Sequence, residues 1–170
     1  IRQAIEDGAT VPVHYQLRNS KWHMDGVDLD KITEDAYGDI LDEDQLDALK
    51  KKAGKYGTFM MTPERLHSIA IDIAEHFKNH VEPNGYKAQV VCFNRAACVI
   101  IKDHLDELLG ADISDVIYTG AQNDEEALRK YHYSGEKQKE IVRRFKKQED
   151  PLKILLVQSM LLTGFDAPVE

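Results

Sequence analysis

Lys153-Ile-Leu-Leu-Val-Gln-Ser-Met-Leu-Leu-Thr-Gly-Phe-Asp-Ala-Pro168 is the stretch whose reading decides the fold. An apolar strand runs straight into a small-residue turn that carries an aspartate. Ile154 to Val157 form the continuous apolar run expected of a parallel strand buried on both faces, and such sheets bind ligands in the crevice beyond the carboxyl ends of their strands. Thr163, Gly164 and Asp166 fall at that crevice. Gly164 permits close approach to the backbone, the Asp166 carboxylate accepts hydrogen bonds from hydroxyls such as those of a ribose, and Pro168 stops the segment. A turn of this composition also serves as an ordinary strand-to-helix connection, and the turn alone does not decide between the two.

Upstream, Lys87-Ala-Gln-Val-Val-Cys-Phe-Asn-Arg-Ala-Ala97 reads as a second buried strand that ends in a polar pair. A helix follows, then a short strand at Val116-Ile-Tyr118 and the step Thr119-Gly120. A further helix containing Ile141-Val-Arg-Arg-Phe145 leads into the closing strand. Helix-length crossovers separate the strands, so segments 88–94, 115–118 and 153–158 are expected to pair in one parallel sheet.

The preceding residues divide in two. Residues 1–24 read as a lead-in, with the alternation of Val11, Val13, Tyr15 and Leu17 giving a strand that Pro12 keeps near an edge or a strand start. Residues 25–80 read as helical. Thr62-Pro63-Glu64-Arg65 marks a helix start, with Thr62 at the N-cap and Pro63 at the first helical position. Leu66, Ile69, Ile73 and Phe77 follow at helical spacing, and Val81-Glu-Pro-Asn-Gly85 ends the helix. Residues 86–170 carry the alternating βαβ pattern, and no internal repeat or low-complexity segment occurs.

The chain has 170 residues with 42% hydrophobic content, enough for one real core and a small accessory subdomain. Its formal net charge of −8 argues against an autonomous nucleic-acid binder, because Lys and Arg at phosphates supply most non-specific affinity. The excess is largely local. Ten acids and one base, Lys31, lie between Asp25 and Asp47, whereas Lys137, Lys139, Arg143, Arg144, Lys146 and Lys147 crowd one later helix. That helix reads first as a solvated outer cover of the sheet with Ile141, Val142 and Phe145 inward, and second as a DNA track.

No apolar run approaches the roughly 20 residues needed to span a bilayer, and no leader resembles a signal peptide. The start at Ile1 points to an excised piece of a larger protein. Cys92 and Cys98 fit neither a zinc pair nor a disulfide framework and are expected to stay reduced. His76 and His80 lie four apart on one helix but lack the Glu of a zinc-protease motif. His67, His104 and His132 have no partner at a matching spacing and read as surface residues. Trp22 reads as local core rather than as an anchor for another domain.

In order along the chain, these segments resemble the second RecA-like lobe of superfamily 2 helicases. Val90 to Arg95 looks like motif IV and Gln158 to Asp166 like motif V. More narrowly, Phe145-Lys followed by Asp150-Pro-Leu-Lys-Ile-Leu-Leu-Val157 and Met160-Leu-Leu-Thr-Gly-Phe-Asp-Ala-Pro168 is similar to the motor (R) subunit of type I restriction endonucleases. The opening Ala4-Ile-Glu-Asp-Gly-Ala-Thr-Val-Pro-Val-His-Tyr15 looks like the same family at the passage between its two motor lobes. The block Leu161 to Pro168 is the most specific part. Where superfamily 2 proteins often carry Thr-Asp this chain has Gln158-Ser159, and Asn94 stands where Ser commonly precedes the motif IV arginine. The sequence has no GxxxxGK[ST] phosphate loop and no paired acids for magnesium, and motif VI is expected beyond Glu170.

The resemblance implies a three-layer α/β fold of the RecA-like type, a partial second helicase lobe over 86–170 with an acidic helical insertion over 25–80. It implies a fragment of an ATP-dependent double-stranded DNA translocase in a cytoplasmic restriction enzyme, inactive by itself and binding no cofactor alone. ATP and Mg2+ belong mainly to the first motor lobe, a nuclease domain of the same chain cuts, and specificity and methyltransferase subunits choose the site. Gly164 and Asp166 are expected at the nucleotide or interlobe cleft, and Asn94, Arg95, Thr119 and Thr163 at the DNA backbone. No catalytic residue and no metal ligand is expected. The alternatives are another superfamily 2 motor, such as a type III restriction subunit or a repair helicase, and a plain α/β interaction module.

Overall fold

The computed structural model describes residues 59–161, together with Gln16 and Gly57. The expected strand over 11–17, the acidic stretch from Asp25 to Asp47 and the turn bearing Thr163, Gly164 and Asp166 lie outside the described residues. Helix α1 spans Pro63–His76 and runs through a π-helical turn, Phe77–Val81, into a 3-10 turn, Glu82–Asn84. Then follow β1 (Ala88–Val91), α2 (Arg95–Leu109), β2 (Ser114–Ile117), the single turn α3 (Glu126–Arg129), α4 (Gly135–Phe145) and β3 (Ile154–Val157).

The three strands form one parallel sheet in the order β1-β3-β2, as their crossovers predict. The last of the described strands is therefore the central one. All four of its residues are buried, and they alternate between two cores. Ile154 and Leu156 join Leu66, Ala70, Phe77, Cys98, Leu105 and Val116 on the face covered by α1 and α2. Leu155 and Val157 join Ile117, Ile141, Phe145 and Leu152 on the face covered by α4. Helices thus cover both faces, and the unbroken apolar run of Ile154 to Val157 is the sequence trace of that arrangement. The result is a small α/β domain, compatible with the RecA-like lobe that the resemblance implies.

β1 departs from the expectation of a second strand buried on both faces. Among the described strands it stands at the sheet edge, where Ala88, Gln89 and Val90 are half-buried and Val91 is 59% exposed. The strand also stops at Val91, short of residue 94, although the Cys92 amide still donates to the Val157 carbonyl at 2.9 Å.

Local signals account for the helix ends. Thr62 occupies the N-cap of α1 with Pro63 behind it, but the hydroxyl turns back and donates to the Phe59 carbonyl at 3.1 Å instead of capping the helix amides. Gly85 closes the turn after α1 with φ 75°, a left-handed conformation that glycine adopts without penalty. Leu66, Ala70 and Ala74 of α1 are buried in the same core as α2 and β3, so that core continues across residue 80. Ser134 caps α4 by accepting from the Lys137 amide at 3.2 Å. Ile141 and Phe145 point inward, and Lys137, Lys139 and Arg143 are exposed, the pattern of a covering helix; Lys146 and Lys147 fall just past its end. Buried Lys87 closes that end, its ammonium donating to the carbonyls of Lys147, Arg144 and Asp150 and lying 5.6 Å from the centre of the Phe145 ring.

Candidate functional site

Strand register builds the site. Val91 of β1, Val157 of β3 and Ile117 of β2 stand level across the sheet, so all three strands end together. The segments that follow them emerge at one edge: Cys92 to Arg95, Gln158 to Leu161, and Tyr118 to Gly120. This is the crevice that the sequence places beyond the carboxyl ends, and three of the expected site residues lie there.

Asn94 is the N-cap of α2. Its carbonyl oxygen accepts from the Ala97 amide at 2.7 Å, and its amide nitrogen reaches the Met61 sulfur at 3.2 Å. Arg95 is the first residue of the helix, and its Nη1 donates to the Thr119 carbonyl at 3.2 Å and to Asp124 Oδ2 at 2.7 Å. Thr119 follows β2, with its hydroxyl 3.5 Å from the Met160 sulfur. Contacts therefore bring Arg95 and Thr119 together. Thr163, Gly164 and Asp166 lie outside the described residues, and the backbone approaches them through Ser159 at φ 56° and Leu161 at φ 58°. Left-handed conformations at two residues with side chains store local strain of the kind that collects at functional turns. The Gln89 amide of β1 donates to the Leu161 carbonyl at 3.3 Å and ties that turn to the sheet.

Asp124 organises the crevice on the β2 side, and the sequence reading missed it. The residue is 4% exposed. Its Oδ2 accepts from the Ala121 amide at 2.8 Å, from Arg95 Nη1 at 2.7 Å and from His132 Nε2 at 2.8 Å. The Ala121 amide, helped by His132 and Arg95, holds the carboxyl below the usual carboxylate range against the opposing effect of burial. A signal was present: Thr119-Gly120 followed by Asp124 repeats, after another strand, the Thr-Gly-Asp composition that singled out Thr163, Gly164 and Asp166.

His132 is accordingly not a lone surface histidine. His67 and His104 are not isolated either, their Nδ1 atoms lying 3.5 Å apart and their rings 4.8 Å centre to centre. In both cases tertiary packing supplies a partner that helical spacing cannot reveal. Cys92 and Cys98 are buried free thiols; the hydrogen bond between them, with burial, pushes the Cys92 thiol well up and keeps it protonated and inert. Among the described residues, no three His, Cys, Asp or Glu side chains converge to hold a metal ion. No helix among them is long and apolar enough to cross a membrane.

Fold and site define a small α/β domain on a three-stranded parallel sheet, with a polar crevice at the strands' carboxyl ends. Along almost its whole length, the chain is similar to a segment of endonuclease subunits of type I restriction enzymes. It is 32% identical over 182 residues to the type I restriction enzyme HindI endonuclease subunit of Haemophilus influenzae, a match covering 99% of this chain and 16% of that protein. It is 29% identical over 202 residues to the putative type I restriction enzyme MjaVIIP endonuclease subunit of Methanocaldococcus jannaschii, covering 99% of this chain and 18% of that protein. The putative MjaIXP endonuclease subunit of the same organism is 27% identical over 173 residues, with 99% and 16% covered. The chain thus spans less than a fifth of the length of the curated relatives it matches. No family model matches it, and no solved structure does. The link to type I restriction endonuclease subunits is one of partial homology at low identity.

Proposed function

We propose that this chain is part of the ATP-driven motor subunit of a type I restriction enzyme, and that residues 86–170 belong to its second RecA-like lobe. One observation carries the reading: Arg95 and Thr119, joined by a hydrogen bond, stand with Asn94 at the carboxyl ends of a parallel sheet, in a chain similar throughout to such subunits. In this reading the crevice faces double-stranded DNA. Arg95 offers a guanidinium to a phosphate, and Asn94, Thr119 and Thr163 offer an amide and hydroxyls. Groups of this kind hold a duplex in place without reading its sequence, which suits a protein that must move along any sequence.

Gly164 and Asp166 border the nucleotide or interlobe cleft in the same reading. The described residues do not fit a magnesium nucleotide, since the sequence lacks a phosphate loop and no acids among those residues converge. ATP and Mg2+ are assigned to the first motor lobe of the full-length protein, where hydrolysis supplies the energy for movement. Partners are the specificity and methyltransferase subunits, together with the first lobe and the nuclease domain of the same chain.

Arg95→Ala in the full-length protein tests the reading. DNA-stimulated ATPase and displacement of a third strand from a triplex report translocation directly. The expected result is translocation slowed about tenfold, with ATPase in the absence of DNA unchanged. Unaltered translocation by a folded variant removes the DNA role of this crevice. The 170-residue chain alone is expected to show neither ATP turnover nor DNA cleavage, and robust turnover by it overturns the assignment.

A further inference from the structure

Arg95 has a guanidinium with two distinct edges, and the described residues use only one. Both of its hydrogen bonds leave from Nη1, to the Thr119 carbonyl and to Asp124 Oδ2. The edge formed by Nε and Nη2, the planar fork that matches two oxygens of a phosphate, makes no hydrogen bond to any described residue. Arg95 keeps 28% of its side chain accessible, whereas Asp124 beneath it keeps 4%.

Asp124 is itself fixed from several directions. The Ala121 amide and His132 Nε2 bind the same oxygen that receives Arg95, and the Asp124 carbonyl accepts from Arg129 Nε at 2.6 Å. The loop that carries it is held by the Tyr118 hydroxyl, which donates to the Leu128 carbonyl at 2.8 Å. Gly120 has no room for a side chain, because a Cβ there meets three atoms of the His132 ring at 2.7 Å. A carboxylate locked this firmly fixes the rotamer of a flexible arginine before a ligand arrives, so the ordering cost is met in the free protein.

We propose that Asp124 is a positioning residue for phosphate recognition: it anchors the Nη1 side of Arg95 and so presents the Nε–Nη2 fork to the backbone of double-stranded DNA at the carboxyl-end crevice. The proposal rests on the reading of that crevice as a DNA-backbone site. Asp124 touches no DNA in this scheme and acts only through Arg95.

A double-mutant cycle in the full-length protein tests it, with duplex DNA of unrelated sequences as the probe. Affinity is measured from about 50 to 200 mM salt for Arg95→Ala, Asp124→Asn and the pair. Loss of one phosphate contact lowers the slope of log K against log salt by about 0.9 and weakens binding roughly threefold to tenfold, equally for all sequences. Each single variant is expected to show this loss, and Asp124→Asn is expected to add nothing once Arg95 is Ala. Circular dichroism and the thermal midpoint identify any variant that fails to fold, in which case Asp124→Glu takes the place of Asn in the cycle. An equal loss from the Asp124 change in both backgrounds means a general structural effect and overturns the proposal. Weakened binding by Arg95→Ala with wild-type affinity and slope in Asp124→Asn also overturns it, while leaving the DNA reading intact. Unchanged affinity and slope in Arg95→Ala defeats the DNA reading at this residue, and the positioning role falls with it.

Discussion

Gly120 lies directly beneath the imidazole of His132, so close that a Cβ at Gly120 would come within 2.7 Å of three ring atoms. The ring is in turn held by Asp124 at 2.8 Å. Gly120→Ala must therefore push the imidazole off its partner or shift the loop after β2. Overpacking of this kind costs about 1–3 kcal/mol. Thermal or urea denaturation of the chain should show a loss in that range, and combining the change with His132→Ala should recover most of it. An Ala variant as stable as wild type would mean that the loop yields freely.

Lys87 gives stability an alkaline dependence. Burial, with Lys153 and Arg144 nearby and against the pull of Asp150, lowers its pKa from 10.5 to about 8. The folded chain thus holds this proton less tightly than the unfolded chain, which binds more protons between those two values. Stability contributed through Lys87 therefore rises as pH goes from about 8 towards 10.5. Lys87→Met removes that slope. It also strips the carbonyls at the end of α4 of their donor, at a cost of about 1–3 kcal/mol. Denaturation midpoints of the two proteins, compared across this range, should diverge as pH rises; parallel curves would remove the link to Lys87.

The opposite limb belongs to Asp124. Its folded pKa lies below the ordinary 3.8, chiefly because it accepts from the Ala121 amide. A depressed carboxyl stabilises the fold above its unfolded value, and that contribution disappears as pH falls through 3.8 towards the folded value. Acid denaturation followed by circular dichroism should accordingly be less steep below about pH 4 in Asp124→Asn than in wild type. An identical acid limb in the two proteins would assign the depression elsewhere.

At the expected interlobe position, Asp166→Ala in the full-length protein should slow translocation while leaving the fold largely unchanged. A charged hydrogen bond is worth about 1.5–3 kcal/mol, or roughly ten- to hundredfold in the coupled step. Thermal stability and DNA-stimulated ATPase measured side by side separate this from a turn-capping role. A destabilised variant with an unchanged rate per folded molecule would assign Asp166 to the turn.

The sheet was legible because its signal is local. Four successive apolar residues, Ile154 to Val157, report a strand covered on both faces, and helix-length spacers report parallel pairing. Edge status was not legible, because Ala88, Val90 and Val91 offer the apolar residues that a covered strand also has, and only the strand order β1-β3-β2 leaves Val91 outside among the described strands. Asn94, Arg95 and Thr119 each follow a strand in the sequence, and the register of the three strands brings them to one end of the sheet. Partnership could not: Asp124 meets Arg95 across 29 residues and His132 across 8, distances at which no periodicity survives. Asn94 shows a further limit, since an asparagine that opens a helix caps it whatever else it does.

The strand order also sets when the sheet can assemble. Among the described strands, β1 and β2 hydrogen-bond only to β3, the last of the three to be synthesised. Until residues 154–157 leave the ribosome, neither earlier strand has the neighbour it pairs with among the described residues. Pairing of both strands with β3 closes two long chain loops. Such non-local parallel pairing is slow, and the apolar edges it leaves waiting are open to wrong partners. Residues 154–157 therefore complete the described three-stranded sheet, and slower synthesis just before them is expected to prolong the exposure of its unpaired strands to aggregation.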